Sequence, residues 1–365
     1  MTRYAILLLP AANRVYADAS PALLRAELAA FSERALDGEI DGIDQTRIAG
    51  VDYVTFTAQE PLSERDIALL SNLSSVYALF ELTGPDTAGN ADSAGEAAPL
   101  LRPVSLAPLD RFDSDLLTIQ KYSGKTNEMF TKLLLNMACL GMHRPAAMLS
   151  KRLALLDPLC GRGTTLNQAM MYGFDAVGGE ADGKDFEQYE RFIKTWLKDK
   201  RIKHTADSGQ LRKDKRRLGR RLDITYAATK DAYKAGDVQQ LSFRNVDTLV
   251  LDELYPARSF DLVVADAPYG VQHSSRRHTP DEATSLSRSP RELLTAAVPV
   301  WERLLRPGGA MAISWNTYTL PREELTGLLS RSGLAVHDRP PFDGFRHRVD
   351  HAIVRDLVVA SKPPK

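Results

Sequence analysis

The stretch LALLDPLCGRGTTLNQAMMYGFDAVGGEAD, residues 153–182, decides how this chain is read. Residues 153–156 form a short apolar run of the kind that makes a buried parallel strand. The run ends in Asp157-Pro158, and Gly161 and Gly163 follow with one residue between them. Helical spacing then runs from 164 to 172, and a second strand at 175–179 closes on Glu180. This is a βαβ unit with a glycine-rich first turn and an acid at the end of its second strand. Glycines let a backbone approach a ligand closely, and an acid in that place suits ribose hydroxyls. A nucleoside cofactor is the first expectation. The third glycine of the dinucleotide fingerprint is missing, because Leu166 stands in its place.

Composition sets the outer bounds. With 365 residues, 44% hydrophobic and 26% charged, the chain has room for two domains and a sizeable core. The 47 basic and 47 acidic side chains cancel, so any nucleic-acid footprint must be local. Two cysteines, Cys139 and Cys160, are too few for a disulfide framework, and no Cys/His spacing suggests a metal. No apolar run is long enough to span a membrane. Arg3 and the apolar residues 5–9 superficially imitate a signal peptide, but Pro10, Asn13 and Arg14 interrupt it. A first β-strand and a cytoplasmic protein are expected.

Working outward, residues 1–82 read as a small α/β domain of β-α-β-α-β type. It has strands near 4–9, 52–57 and 76–82, and helices near 21–36 and 63–72, the second opened by a Ser63-x-x-Asp66 capping box. Residues 83–112 have the composition of a flexible linker and extended arm. The remainder, 113–365, is a second domain with a basic insertion at about 184–234. Between 194 and 221 stand twelve lysines and arginines against three aspartates, Arg216 and Arg217 among them. Such a run is either a solvated face or a phosphate-contacting patch.

Further along, residues 259–265 form an apolar strand that runs into Asp266-Ala267-Pro268-Tyr269-Gly270. A polar loop at 271–290 follows, carrying Arg276 and Arg277, and a loop directly after such a turn is a natural substrate lid. Its histidines read as surface residues rather than ligands or bases. Asp237 follows Gly236 in a strand-end pattern, and Asn127 lies in the segment KTNEMF just ahead of a helix.

DPLCGRGT resembles the cofactor-binding motif of class I methyltransferases that use S-adenosylmethionine. DAPY resembles the (Asp/Asn)-Pro-Pro-(Tyr/Phe) motif of those that methylate exocyclic nitrogens of bases. Together with KTNEMF, RPGG at 306–309 and the ending RVDHAIVRDL, the pattern is similar to the tRNA (guanine-N2) methyltransferase family. The resemblance covers roughly 120–360. It implies a Rossmann-like sheet with an antiparallel final hairpin behind the small N-terminal domain, S-adenosylmethionine as cofactor, and tRNA as partner. It also implies that Asn127, Asp157, Pro158, Gly161, Gly163 and Thr164 line the methionine part of the cofactor. Glu180 would hold the ribose, Asp237 the adenine, and Asp266, Ala267, Pro268 and Tyr269 the target base. Arg216, Arg217, Arg276 and Arg277 are the candidate substrate contacts.

Ala267 departs from the motif, keeping a backbone acceptor and giving up rigidity. The N-terminal 82 residues are short for the targeting module usual in that family. A DNA adenine-N6 or cytosine-N4 methyltransferase shares the same motif, and a non-catalytic RNA-binding protein is the alternative from another class. The oligomeric state is left open.

Overall fold

The computed structural model describes residues 1–11, 13–84, 99–270 and 289–364. The chain opens with β1 (Thr2–Leu8) and α1 (Arg14–Arg34), the helix capped by the Asn13 side chain on the Val15 and Tyr16 amides. Strands β2 (Ile40–Ile48) and β3 (Val51–Ala58) form a hairpin, and α2 (Glu64–Leu70) starts with the expected Ser63–Asp66 capping box. β4 (Val76–Thr83) and β5 (Leu100–Val104) complete an antiparallel sheet of order β2-β3-β1-β4-β5.

Two strands depart from the sequence reading. β2 is an edge strand whose interior residues are largely exposed, so it lacks the alternation that marks a half-buried strand. β5 lies inside the stretch read as a flexible arm. There Leu100–Val104 pairs with β4, the amides of Ala107 and Leu109 donate to the side chains of Ser71 and Asn72, and the Arg111 amide donates to the Met171 carbonyl. A single backbone ladder turned a polar-looking arm into sheet. The linker residues 85–98 lie outside the described residues.

The second part begins with the short α3 (Asp115–Thr118) and α4 (Glu128–Gly141). Then come β6 (Ala154–Asp157), α5 (Thr164–Met171), β7 (Asp175–Gly179) and α6 (Gly183–Asp199). β8 (His204–Lys213) and β9 (Arg216–Tyr226) make a long hairpin, followed by α7 (Lys230–Lys234), β10 (Gln239–Asn245), α8 (Leu251–Leu254) and β11 (Phe260–Asp266). The chain ends with α9 (Pro290–Leu304), β12 (Leu305–Asn316), α10 (Arg322–Arg331), β13 (Ala335–His337), β14 (His347–Arg348) and β15 (Val354–Ser361).

These strands form one sheet of order β13-β15-β12-β11-β6-β7-β10-β9-β8, with β14 on β15. The five from β12 to β10 are parallel. β15 runs antiparallel between β12 and β13, and β9 runs antiparallel against β10. The expected Rossmann-like sheet with its antiparallel final hairpin is therefore present. The strand order reverses between β6 and β11, and ligands bind beyond the carboxyl ends of strands at such a switch point. The basic insertion is not a separate lobe: β8 and β9 extend the sheet by two strands.

The two sheets are joined by a buried polar seam around Glu27. Its carboxylate accepts from the amide and hydroxyl of Ser74 and from Asn136 Nδ2 of α4 at 2.7 Å. Asn136 also donates to the Asn72 carbonyl, and Tyr172 donates to Asn136 Oδ1. Burial pushes the Glu27 carboxyl above its ordinary range. No described helix is long and apolar enough to cross a membrane.

Candidate active site

The turn after β6 is shaped by glycine. Gly161 (φ +51°) and Gly163 (φ +78°) both occupy the left-handed region, which side chains adopt at a cost. A Cβ on Gly163 would stand 2.3 Å from the Tyr189 ring of α6, so helix α5 can start there only without one. A Cβ on Gly161 would meet nothing within 4 Å, so that backbone faces open space. Its amide nevertheless has a partner: it donates to Glu180 Oε2 at 2.9 Å, while the Asp182 amide donates to Oε1 at 2.7 Å. The acid at the end of β7 thus holds the glycine turn beyond β6.

Asp157 is almost wholly buried at the end of β6, with Oδ1 accepting from the Leu159 amide at 3.1 Å. Desolvation, aided at Asp157 by the neighbouring charges of Asp266 and Glu180, pushes both Asp157 and Glu180 up to about 7. Three carboxylates thus gather at the ends of β6, β7 and β11. That arrangement suits a ligand bringing positive charge and hydroxyl donors.

Asp266 closes β11 and is held on both oxygens. Thr126 Oγ1 donates to Oδ2, and Tyr269 Oη donates to Oδ1 at 2.6 Å. Ionised carboxylate oxygens each retain another lone pair after one such bond, so acceptor capacity for an incoming amine remains. The Ala267 amide bonds to the Ser314 carbonyl at 2.8 Å, continuing the β11–β12 ladder into the motif. Asn316 Nδ2 fixes the Tyr269 carbonyl at 3.1 Å, and Pro268 is exposed. The Tyr269 ring was expected to lie on a base. One of its contacts is already taken, because the Arg355 guanidinium sits 4.9 Å from its centroid.

Other expected site residues fall differently. Asn127 caps α4 through Oδ1, which accepts from the Met129 and Phe130 amides, so its side-chain carbonyl is engaged by the helix. Its neighbour Thr126, which the sequence reading passed over, is the residue that touches Asp266. Thr164 opens α5 and lies 3.4 Å from the Tyr122 hydroxyl. Asp237 must be corrected. It precedes β10 and pairs with Arg152, at the amino-terminal edge of the sheet, whereas Asp157, Glu180 and Asp266 lie at the carboxyl edge. β10 runs parallel to β7, so the residue it brings to the site is its last, Asn245. The Asn245 amide side chain donates to the Glu180 and Ala181 carbonyls at 2.9 and 3.1 Å. A Gly-Asp pair looks alike at either end of a strand; only the register separates the two.

Arg216 and Arg217 lie at the exposed tip of the β8–β9 hairpin. Because Arg220 pairs with Asn245, the tip projects beyond the carboxyl end of β10, on the rim that carries the acids. Leu211 and Leu218 pack on the core, and Lys213 Nζ donates to the Glu253 carbonyl, which anchors the tip. Arg276 and Arg277 lie outside the described residues. Among the described residues, no cluster of three or more His, Cys, Asp or Glu could hold a metal. A cleft of about 800 Å³ is lined by Tyr122, Arg162 and residues of α6, and Asp266 is not part of its lining.

Residues 129–294 match the family model described as UPF0020, RMKL-like, methyltransferase domain. This part of the chain is a methyltransferase domain, and its cofactor is S-adenosylmethionine. Among curated proteins no relative matches. Solved structures similar to this chain include a TehB-like SAM-dependent methyltransferase from Corynebacterium glutamicum ATCC 13032 Kitasato. It is 15% identical, with 59% of this chain and 83% of that chain covered and a TM-score of 0.33. A ribosomal protein L11 methylase from Lactobacillus delbrueckii subsp. bulgaricus is 14% identical, with 64% and 80% covered and a TM-score of 0.34. The PH0226 protein from Pyrococcus horikoshii OT3 gives 15%, 60%, 84% and 0.34.

The residues present fit the cofactor of the methyltransferase domain. The space at Gly161 admits a ligand against the backbone, and the buried carboxylates of Asp157 and Glu180 suit its ammonium, sulfonium and ribose hydroxyl groups.

Proposed function

We propose that this protein methylates an exocyclic amino group of a nucleic-acid base, and that the target is N2 of guanosine in tRNA. The observation that carries this reading is Asp266. It stands at the topological switch point beside Asp157, is oriented by Thr126 and Tyr269, and is followed by a backbone carbonyl at Ala267.

S-adenosylmethionine supplies an electrophilic methyl on a sulfonium. An exocyclic amine is a poor nucleophile because its lone pair is delocalised into the ring. Asp266 and the Ala267 carbonyl accept its two N–H bonds, favouring a pyramidal nitrogen whose lone pair points away from them. The same acceptors stabilise the positive charge that develops on nitrogen as the N–CH₃ bond forms and the S–CH₃ bond breaks. The proton lost from nitrogen passes to Asp266 and then to solvent. Asp157 and Glu180 would hold the cofactor, with Asn245 rather than Asp237 on the adenine side. Arg216 and Arg217, on the same rim as the pocket, contact phosphates of the RNA.

The test is transfer of labelled methyl to total tRNA, total rRNA and duplex DNA in parallel, followed by nucleoside digestion. N2-methylguanosine from tRNA is the expected product. Label only in DNA adenine or cytosine would replace the substrate and keep the Asp266 chemistry. Cofactor binding without transfer to any of the three would favour the non-catalytic reading.

A further inference from the structure

Arg355 is the second residue of β15 and is 4% exposed. Its guanidinium carbon sits 4.4 Å from the Phe130 ring centroid and 4.9 Å from that of Tyr269. Among the described residues no carboxylate pairs with it, and its Nε is a buried donor with no acceptor. The nearby groups do not supply the missing charge. Asp356 is paired with Arg322, and the Asp266 oxygens face Thr126 and Tyr269. His347, across the strand pair from Arg355, has its pKa pushed down to about 4 by burial, with the Arg355 charge contributing, and is neutral. Aromatic faces attract a cation but leave its N–H donors unsatisfied. A buried guanidinium N–H without an acceptor is costly, and a ligand that brings one removes the cost.

Tyr269 ties this cation to the chemistry. Its hydroxyl bonds Asp266 and its ring face carries Arg355, so one side chain touches both a carboxylate acceptor and a guanidinium donor. A phosphate belongs to the outer rim, whereas Arg355 is buried next to the motif.

We propose that Arg355 is the specificity-determining residue of the target pocket, donating to the oxygen at C6 of a guanine whose C2 amine lies on Asp266. This deepens the reading given above and rests on it. Adenine presents an amine donor at C6 and would set donor against donor, so the same residue rejects it.

The test uses the RNA labelled in the transfer assay, with guanine, 2-aminopurine or 2,6-diaminopurine at the target position. All three offer the same C2 amine; they carry respectively an acceptor, nothing and a donor at C6. The wild-type protein is expected to lose about tenfold or more in kcat/KM from guanine to 2-aminopurine, and more again with 2,6-diaminopurine. In Arg355→Gln and Arg355→Lys the penalty shrinks, with thermal melting checking that each variant is folded. Equal wild-type rates on the three bases overturn the assignment without any variant. So does a variant whose rates fall by one common factor on all three, the pattern of a purely structural arginine. If the wild-type protein labels no guanine in any nucleic acid, the underlying reading fails and this assignment with it. If it labels guanine without discriminating at C6, only the assignment of Arg355 fails.

Discussion

Asp157 and Glu180 are carboxylic acids whose protonation is tied to folding and, on the reading proposed above, to the cofactor. Each is pushed up to about 7 in the folded protein by burial, from about 4 in an unfolded chain. Between those values the folded state holds more protons than the unfolded state, so stability falls as pH rises from about 4 to about 7. The melting temperature of the cofactor-free protein should therefore decline over that window, and Asp157→Asn should flatten the decline. Cofactor that brings positive charge and hydroxyl donors favours the ionised carboxylates. Its binding should release protons near pH 6 and tighten toward pH 8, which titration calorimetry in buffers of different ionisation enthalpy measures. A pH-independent affinity would remove both acids from the cofactor site. Asp266→Asn tests the other half of the pocket. It keeps the shape but loses charge at the developing cation, so kcat should fall about 100-fold or more while S-adenosylmethionine affinity changes little.

At the scale of elements, the β8–β9 hairpin turns a run of charge into a directed surface. Sequence alone leaves the run undecided between a solvated face and a phosphate patch. Inside it, Arg220 and Arg221 are consumed by Glu187, Glu190, Asp207 and Asp223, which belong to α6 and the hairpin itself. Arg216 and Arg217, at the tip, are the exposed part. Replacing both with Ala should weaken RNA binding and reduce its salt slope by about one per lost phosphate contact, with kcat at saturating RNA unchanged. Gly219 sets how the hairpin meets the sheet. A Cβ there would stand 1.9 Å from the Asn245 carbonyl oxygen, so Gly219→Ala must push β9 away from β10. A lower melting temperature and weaker cofactor binding are expected, because Asn245 also holds the Glu180 and Ala181 carbonyls.

At the scale of the molecule, the N-terminal sheet is joined to the methyltransferase domain through Glu27, Ser74, Asn72, Asn136 and Tyr172. Asn136 lies on α4, the helix that follows Thr126 and carries Phe130 to the Arg355 guanidinium. Asn136→Ala would strip a donor from the buried Glu27 carboxylate and from the Asn72 carbonyl. A loss of about 2–4 kcal/mol in unfolding free energy is expected by denaturant titration. A change within about 0.5 kcal/mol would show that the seam contributes little to stability.

The sequence by itself determined the βαβ unit, the glycine turn, the acid at Glu180 and the Asp266 motif. Each is a local pattern in which residue type and spacing state the backbone conformation or the chemistry directly. The Rossmann-like class followed from those patterns, since buried parallel strands and their turns are written into short stretches. Strand register and pairing across distant segments were not legible. They decided that Asp237 lies at the amino-terminal edge, that Asn245 ends β10 beside Glu180, that 100–104 is sheet rather than arm, and that the basic tip projects beyond the carboxyl end of β10. Arg355 looked like any strand arginine in RVDHAIVRDL. Only tertiary packing, which brings β15 against Phe130 and Tyr269 and leaves the guanidinium with no carboxylate partner among the described residues, singles it out.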